Sequence, residues 1–480
     1  MVRGLAWTGG VTVATQVLRW SITLYIARLL SPADYGLVGM ALVYTGFVQL
    51  VNDFGLSAAI IQQRDLKADL LARVAGFAIL LGFALFVVSA ALAVPIAGFF
   101  GEPAVRNIVM VLGLKFILDS VAMPSRALLA RDLRFRALAA IDGTDALVAG
   151  LTALAAALMG AAYWSLVIGP LAGSLSGVLL ALWIRPYRPA RPGRLRDIEH
   201  SVRLGRDVVV SSVAWYGYSN ADFLIVGRLL DKTALGFYTF AWNIASIPVE
   251  KVAALVGRVT PGIFSAVQQD TAAMRRYFLS LTEAIAFVTF PMSAGFVLVA
   301  DDLVSGMLGE KWMPAVTTLK LLACYAGIRS VSTLPSHVMV MRGRADLARR
   351  ASLITVLILP AAFLIGSRWG IVGVALGWLF AYPVCVVMWD YRYVSQLLDL
   401  TPKRLGQSVW PALVATSIMV LVLIGARMAL PDGVSHLIRL FVVTILGMGV
   451  YGGVALVVQG DRVRAFVSVA RQSLARETSS

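Results

Sequence analysis

Apolar stretches of about twenty residues, separated by short polar connections, recur along the whole 480-residue chain. A helix needs about 20 mostly apolar residues to cross the hydrocarbon core of a membrane. The pattern therefore predicts an all-α, polytopic membrane protein with about fourteen transmembrane helices. We place these helices at residues 8–30, 36–60, 74–99, 105–124, 138–159, 163–184, 208–230, 235–256, 277–300, 316–341, 352–365, 370–388, 409–429 and 437–458.

Composition and charge favour a membrane protein over one that binds nucleic acid. The chain is 59% hydrophobic and 14% charged, with a mean hydropathy of +0.81, which lies outside the usual range of soluble domains. The net charge is +16, but Lys and Arg concentrate in every second connection, and the alternate connections hold only Arg106, Lys232, Lys311 and Arg368. Because basic loops face the cytoplasm, we expect an even number of spans and two cytoplasmic termini.

The sequence repeats weakly with an offset of 200 positions. Arg28-Leu29-Leu30, at the end of the first apolar stretch, recurs as Arg228-Leu229-Leu230 at the end of the seventh, and Gly36 recurs as Gly236. Both copies would enter the membrane from the cytoplasm, as parallel repeats do in transporters whose substrate path runs between two halves.

A Pro-, Gly- and Arg-rich segment separates the two predicted repeats and is typical of a cytoplasmic linker that contacts anionic headgroups. The predicted division is an N-terminal six-helix lobe (1–184), the linker (185–206), a C-terminal six-helix lobe (207–390), and two additional helices with a cytoplasmic tail (391–480).

Several basic residues lie within the apolar stretches, where burying an arginine costs at least about 2.5 kcal/mol. Lys115 and Asp119 are four residues apart and can neutralise each other on one helix. Arg19 would lie about 16 Å into the bilayer, where a guanidinium suits a water-filled cavity that binds pyrophosphate through bidentate bonds. Arg28 and Arg228 could instead extend to the headgroups from span ends. The candidate substrate-binding residues are Arg19, Arg28, Arg228, Lys320 and Arg329.

Carboxylates within the apolar stretches are candidates for coupling transport to a proton or sodium gradient. These residues are Asp222, Asp53 and Glu283, and they could equally be counter-ions to the arginines. No cofactor, metal or enzymatic activity is expected, because the histidines are scattered and no phosphate-binding loop or nucleophile–base arrangement is found. Cys324 and Cys385 lack metal-like spacing and are predicted to be small core residues.

Five segments resemble those of a known transporter group. They are residues 25–36, 53–62, 124–135, 248–261 and 309–312, and their order and spacing are more specific than any one alone. On these segments the chain is identified as a member of the multidrug/oligosaccharidyl-lipid/polysaccharide exporter superfamily. It is most similar to the polysaccharide transporter branch that includes O-antigen and colanic-acid type flippases.

This resemblance implies a two-lobed bundle of twelve to fourteen helices in the bacterial cytoplasmic membrane. Such a protein would move an undecaprenyl-pyrophosphate-linked oligosaccharide to the periplasmic leaflet by alternating access, for exopolysaccharide or lipopolysaccharide biosynthesis. The expected partners are that lipid-linked oligosaccharide, membrane lipids and other membrane proteins of polysaccharide assembly. The family has no single fixed set of cavity residues, so the five basic candidates rest on position and charge.

Two other functions are compatible with parts of the pattern. A drug or cation antiporter of the same superfamily would share the fold, but its cavity should be acidic and aromatic because its substrates are cationic. A membrane polysaccharide polymerase or ligase would need catalytic groups on a substantial periplasmic loop, and the longest such connection predicted here runs only from about residue 300 to 315. Both alternatives rank below the flippase.

Overall fold

The computed structural model describes residues 20–52, 56–62, 67–191, 216–250, 267, 269–431 and 433–476. Within these ranges the regular structure is helical and includes no β-strand, which confirms the predicted all-α fold. Nine helices in these ranges are long and apolar enough to cross a membrane, so the count of fourteen stays a prediction. Arg19 and Asp53 lie outside the described residues, as does most of the basic segment 185–206.

The chain forms two compact units whose boundary falls between Thr239 and Phe240. The lobe division proposed from the sequence stays a prediction. The described helices of the first unit are α1 (residues 20–29), α2 (Pro32–Asn52), α3 (Leu56–Gln62), α4 (Ala68–Phe100), α5 (Ala104–Arg131), α6 (Phe135–Leu158), α7 (Ser165–Ile184), α8 (Ala221–Leu229) and α9 (Lys232–Ala245), which continues past the boundary.

Helices α2 and α9 begin in the same way. The Ser31 Oγ accepts the N–H of Asp34 at 3.2 Å, and the Asp231 carboxylate accepts the N–H of Ala234 at 2.7 Å. Each cap satisfies a backbone donor that has no partner within its own helix. The two caps are 200 positions apart, so the weak sequence repeat is matched by a repeat of local structure.

The first turns of α2 and α9 approach each other so closely that only glycine fits at the contact. A Cβ atom at Gly36 would overlap the carbonyl oxygen of Lys232, and a Cβ atom at Gly236 would overlap the carbonyl oxygen of Pro32. The four positions form two pairs related by the offset of 200. Small residues permit such close backbone packing between membrane helices, so the repeated glycines mark a reciprocal helix crossing.

The second unit is built around one long helix. Its described helices are α10 (Thr271–Leu303), α11 (Val316–Val331), α12 (Leu334–Met341), α13 (Ala345–Gly366), α14 (Gly370–Leu376), α15 (Tyr382–Cys385), α16 (Arg392–Leu398), α17 (Pro402–Ala429) and α18 (His436–Arg476). Short π-helical segments join α14, α15 and α16. Helix α10 begins where the Asp270 carboxylate accepts the N–H of Ala273 at 2.9 Å, and this bond holds the pKa of that carboxyl below its usual value.

A buried carboxylate ties the ends of three helices together in the second unit. Asp302, near the end of α10, is 1% exposed. One of its oxygens lies 2.9 Å from Arg427 Nη2, and the other lies 2.9 Å from His436 Nδ1. Arg427 also donates a hydrogen bond to the carbonyl of Leu298. Because Arg427 lies in the last turn of α17 and His436 begins α18, both C-terminal helices are fastened to α10, and a mainly apolar cluster fills the interface.

The glycine crossing predicts opposite effects for two Gly→Ala substitutions. Gly36→Ala should destabilise the protein by about 1–3 kcal/mol, because the added methyl group must push two backbones apart. Gly98→Ala is the matched control, since Gly98 is an exposed helical glycine with nothing within 4 Å of its added Cβ. It should leave the melting temperature unchanged or raise it, as alanine favours helices by about 0.5–1 kcal/mol. Thermal unfolding in detergent measures both, and equal melting temperatures would contradict the crossing.

Candidate functional site

Arg28 and Arg228, the repeat-related pair, are exposed at the ends of α1 and α8. The Arg228 guanidinium carbon lies 5.7 Å from the centre of the Phe99 ring, a distance at which the face of an aromatic ring attracts a cation. Lys232, the first residue of α9, forms an ion pair of 3.0 Å with Glu102, which follows α4. The C-terminal end of α4 thus contacts the end of α8 through Arg228 and the start of α9 through Lys232.

Asp222, the first coupling candidate, is fully buried in the first turn of α8. Its Oδ2 accepts a hydrogen bond of 2.6 Å from the hydroxyl of Tyr238 on α9. The Tyr238 ring also packs edge-on against Phe223, with 5.3 Å between the ring centres. Asp222 therefore takes part in a buried polar contact between consecutive helices. Asp53, the second candidate, falls outside the described residues.

Two sequence candidates of the second unit lie on α10 and α11. Lys320 Nζ is 2.7 Å from Asp301 Oδ2, so its positive charge is compensated by a carboxylate near the end of α10. Glu283 lies on α10 and is half-buried. Asp301, the partner of Lys320, lies about 27 Å from Glu283 along α10, at about 1.5 Å per residue. The structure therefore does not bring Lys320 and Glu283 into one cluster.

Arg329 lies against a cluster of aromatic rings. It is half-buried about 20 Å along α11, at about 1.5 Å per residue, and its guanidinium carbon lies 5.6 Å from the centre of the Trp242 ring. The ring of Trp378 is 5.4 Å from Trp242 and 4.8 Å from Tyr325, which in turn is 5.2 Å from Tyr382. We call these four residues, Trp242, Tyr325, Trp378 and Tyr382, the aromatic cluster. An arginine beside several aromatic faces offers both a cation and flat apolar surfaces to a ligand.

A group of charged residues in the first unit was only partly foreseen. The predicted pairing of Lys115 with Asp119 is confirmed by a distance of 2.6 Å. On the adjacent helices, Arg126 pairs with Asp142, and Asp145 lies one turn beyond Asp142. Residues three apart share one face of a helix, so the two aspartates of the fifth apolar stretch were the signal that sequence reasoning overlooked.

The described residues contain no group of three or more His, Cys, Asp or Glu that could hold a metal ion. Their basic, acidic and aromatic side chains are suited to non-covalent binding of a polar or anionic ligand. A family described as polysaccharide biosynthesis protein matches residues 25–317, which is well over half of the chain. The chain belongs to the polysaccharide biosynthesis protein family.

Relatives of this polysaccharide biosynthesis protein match it over most of its length. The lipopolysaccharide biosynthesis protein WzxC of Escherichia coli K12 is 26% identical over 85% of this chain and 84% of its own. The succinoglycan biosynthesis transport protein ExoT of Rhizobium meliloti is 23% identical over 98% of this chain and 96% of its own.

The fold matches that of a solved transporter. The lipid II flippase MurJ, in an inward closed conformation, superimposes with a TM-score of 0.73 over 94% of this chain and 99% of its own, at 15% identity. Family membership confirms the resemblance drawn from the five segments, and this match confirms the transporter fold. Together with the apolar helices, it establishes this polysaccharide biosynthesis protein as a multi-pass membrane protein.

Proposed function

We propose that this protein is a flippase, not an enzyme, that moves undecaprenyl-pyrophosphate-linked oligosaccharide units across the cytoplasmic membrane by alternating access. The observation that carries the proposal is the match to a succinoglycan biosynthesis transport protein over 98% of this chain. Because nearly all of the chain aligns with nearly all of a transport protein, the similarity extends over all the transmembrane segments and not over one part of them. The product would enter exopolysaccharide or lipopolysaccharide biosynthesis.

The proposed contacts to the pyrophosphate are the arginines, with Arg329 first. Its half-buried position beside Trp242 supports this role, because a guanidinium can bind phosphate oxygens through two parallel bonds. Arg19, Arg28 and Arg228 are proposed to contribute at other stages of the path. Lys320 could bind an anion only after separating from Asp301, so we propose that it contributes less to pyrophosphate binding than the arginines do.

Replacing Arg329 should weaken flipping more than replacing an exposed arginine of the same unit. Arg329→Ala should lower the affinity for lipid-linked oligosaccharide by about 10- to 100-fold, since hydrogen bonds to charged groups contribute about 1.5–3 kcal/mol. Arg329→Lys should recover part of this loss, keeping the charge without the bidentate geometry. Arg368→Ala, in the turn before α14, is the control and should behave as wild type.

The assay uses purified protein in proteoliposomes, with lipid-linked oligosaccharide extracted from cells that lack this protein. Flipping is followed as protection of the glycan from a reagent that cannot cross the bilayer. Wild-type affinity in Arg329→Ala would remove Arg329 from the binding site. No flipping by the wild-type protein would argue against the flippase itself.

Energy coupling is proposed to use Asp222, with Asp53 and Glu283 as further candidates, and a proton or sodium gradient as the driving force. The buried hydrogen bond from Tyr238 on α9 to Asp222 on α8 supports this choice. A movement of one helix relative to the other would change the surroundings of the carboxylate. Asp222→Asn should remove the acceleration of flipping by a pH gradient, because the side chain can no longer bind and release a proton.

Tyr238→Phe is the matched control for the coupling prediction. It removes the hydrogen bond but keeps the carboxylate, so it should lower the melting temperature while the gradient still accelerates flipping. The measurement is flipping in proteoliposomes with and without an imposed pH gradient. If Asp222→Asn responds to the gradient as the wild type does, Asp222 has no part in coupling.

Both termini and the 185–206 segment are proposed to be cytoplasmic, which the distribution of basic residues supports. In a chain whose Cys324 and Cys385 have been replaced, a cysteine at Ser480 should not react with an impermeant thiol reagent added to intact cells. A cysteine at Ala161, in the turn between α6 and α7, is the positive control. Efficient labelling at Ser480 would overturn the even number of spans.

A further inference from the structure

A cleft lined by α1, α2, α3, α5, α6 and α7 of the first unit contains charged groups that the proposed contacts to pyrophosphate do not use. Two adjoining cavities of about 500 Å³ and about 460 Å³ share Lys115, Asp145 and Ser174 in their walls. Each falls within the size range of small-molecule sites, about 300–1,000 Å³. The cleft is thus large enough for an organic ligand and not only for an ion.

Lys115 and Asp145, which line both cavities, lie about halfway along their helices. Lys115 is about 16 Å from the start of α5, and Asp145 is about 15 Å from the start of α6, at about 1.5 Å per residue. Polar and ionisable groups at such depth are expensive in a membrane protein and usually serve substrate or ion binding. Their position therefore calls for a functional explanation.

Most of these charges are already compensated. Lys115 Nζ lies 2.6 Å from Asp119 Oδ2, and the Asp119 Oδ1 accepts a hydrogen bond of 3.5 Å from Ser174. Arg126 pairs with Asp142. Asp145 makes no hydrogen bond or ion pair with any residue that the structure describes, and it is half-buried. The cationic side chains of the cleft are therefore paired, and the Asp145 carboxylate can accept hydrogen bonds from a ligand.

Gly173 on α7 leaves the room that the Asp145 carboxylate occupies. A Cβ atom at Gly173 would overlap Asp145 Oδ1 and would lie 2.6 Å from the Asp145 carbonyl oxygen. The close approach of α6 and α7 thus places the Asp145 carboxylate against Gly173, the residue before Ser174. A larger side chain at position 173 would displace this acceptor.

Two ligand chemistries fit this cleft poorly. A pyrophosphate would face three carboxylates against two bases that are already paired, so the local charge repels it. A hydrocarbon tail would strip water from charged groups without replacing their hydrogen bonds, which is costly.

A pyranose ring suits both the polar and the apolar residues that line the cleft. Its hydroxyl groups donate to carboxylates and accept from an ammonium group, which matches the mixture at Lys115, Asp119 and Asp145. The larger of the two cavities is also lined by Ile22, Ile26 and Tyr35, which suit the apolar C–H face of a sugar.

We propose that this cleft binds the uncharged sugar residues of the lipid-linked oligosaccharide, with Asp145 and Asp119 accepting from hydroxyl groups and Lys115 donating to them. The proposal rests on the flippase function proposed above. It separates the recognition of sugar from that of pyrophosphate, which is assigned to the arginines.

The test compares two probes on the full-length protein in detergent: undecaprenyl pyrophosphate, and the same lipid carrying its oligosaccharide. Asp145→Ala should lower the affinity for the glycosylated lipid by about 10-fold, the effect of one lost hydrogen bond to a charged group. It should change the affinity for undecaprenyl pyrophosphate by less than about 2-fold. Asp145→Asn, which keeps one acceptor oxygen, should lie between Asp145→Ala and wild type. Asp69→Ala, which removes an exposed carboxylate paired with Arg73, is the control.

The outcomes distinguish a failure of the sugar site from a failure of the flippase function. If the wild-type protein binds neither lipid, the flippase function fails. If it binds both and Asp145→Ala lowers the two affinities equally or not at all, the sugar site is wrong. If Asp145→Ala keeps full affinity for the glycosylated lipid but loses the response to a pH gradient, the cleft binds a coupling ion instead. Ser174→Ala provides a second variant in case Asp145→Ala does not fold, with the same contrast expected at a smaller fold-change.

Discussion

The contact on which the first unit depends is the backbone crossing of α2 and α9 at Gly36 and Gly236. No side chain separates the two helices there. Lys232, whose carbonyl oxygen faces Gly36, also pairs with Glu102 at 3.0 Å, so one residue takes part in both the crossing and the contact with the end of α4. Further along α2, the hydroxyl of Tyr216 donates to the carbonyl of Val43 at 2.8 Å. A larger residue at Gly36 would push Lys232 away from α2.

Local features of this chain were predictable from the sequence because they depend on neighbours along one helix. The transmembrane helices follow from long apolar stretches, and the Lys115–Asp119 ion pair follows from the spacing of four residues on one helix. The Gly36/Gly236 repeat was visible as an identity at an offset of 200. Its meaning was not, because a sequence does not show that each glycine faces the carbonyl of the other repeat. The structure supplies that reciprocity.

Contacts between distant parts of the chain were not predictable in the same way. Asp302 and His436 are 134 positions apart and meet only because α17 and α18 pack against α10. The rings of the aromatic cluster come from three separate stretches, each of which reads alone as ordinary apolar helix. Asp145 was overlooked because a single carboxylate in an apolar run gains significance only from the cleft around it. The depth of Arg329 in its apolar stretch was predictable from the sequence, but the aromatic cluster beside it was not.

The ion pairs within each unit have a consequence for the response of the protein to voltage. Moving one elementary charge across the membrane potential is worth about 2.3 kcal/mol per 100 mV. Lys115 and Asp119 both lie on α5, and Lys320 and Asp301 both belong to the second unit. Each pair travels as one neutral body when its unit moves, so the electric field does no net work on it. The field does work only on a charge that crosses the membrane without a counter-charge. An anionic head group carried outward would be such a charge and would experience the full membrane potential.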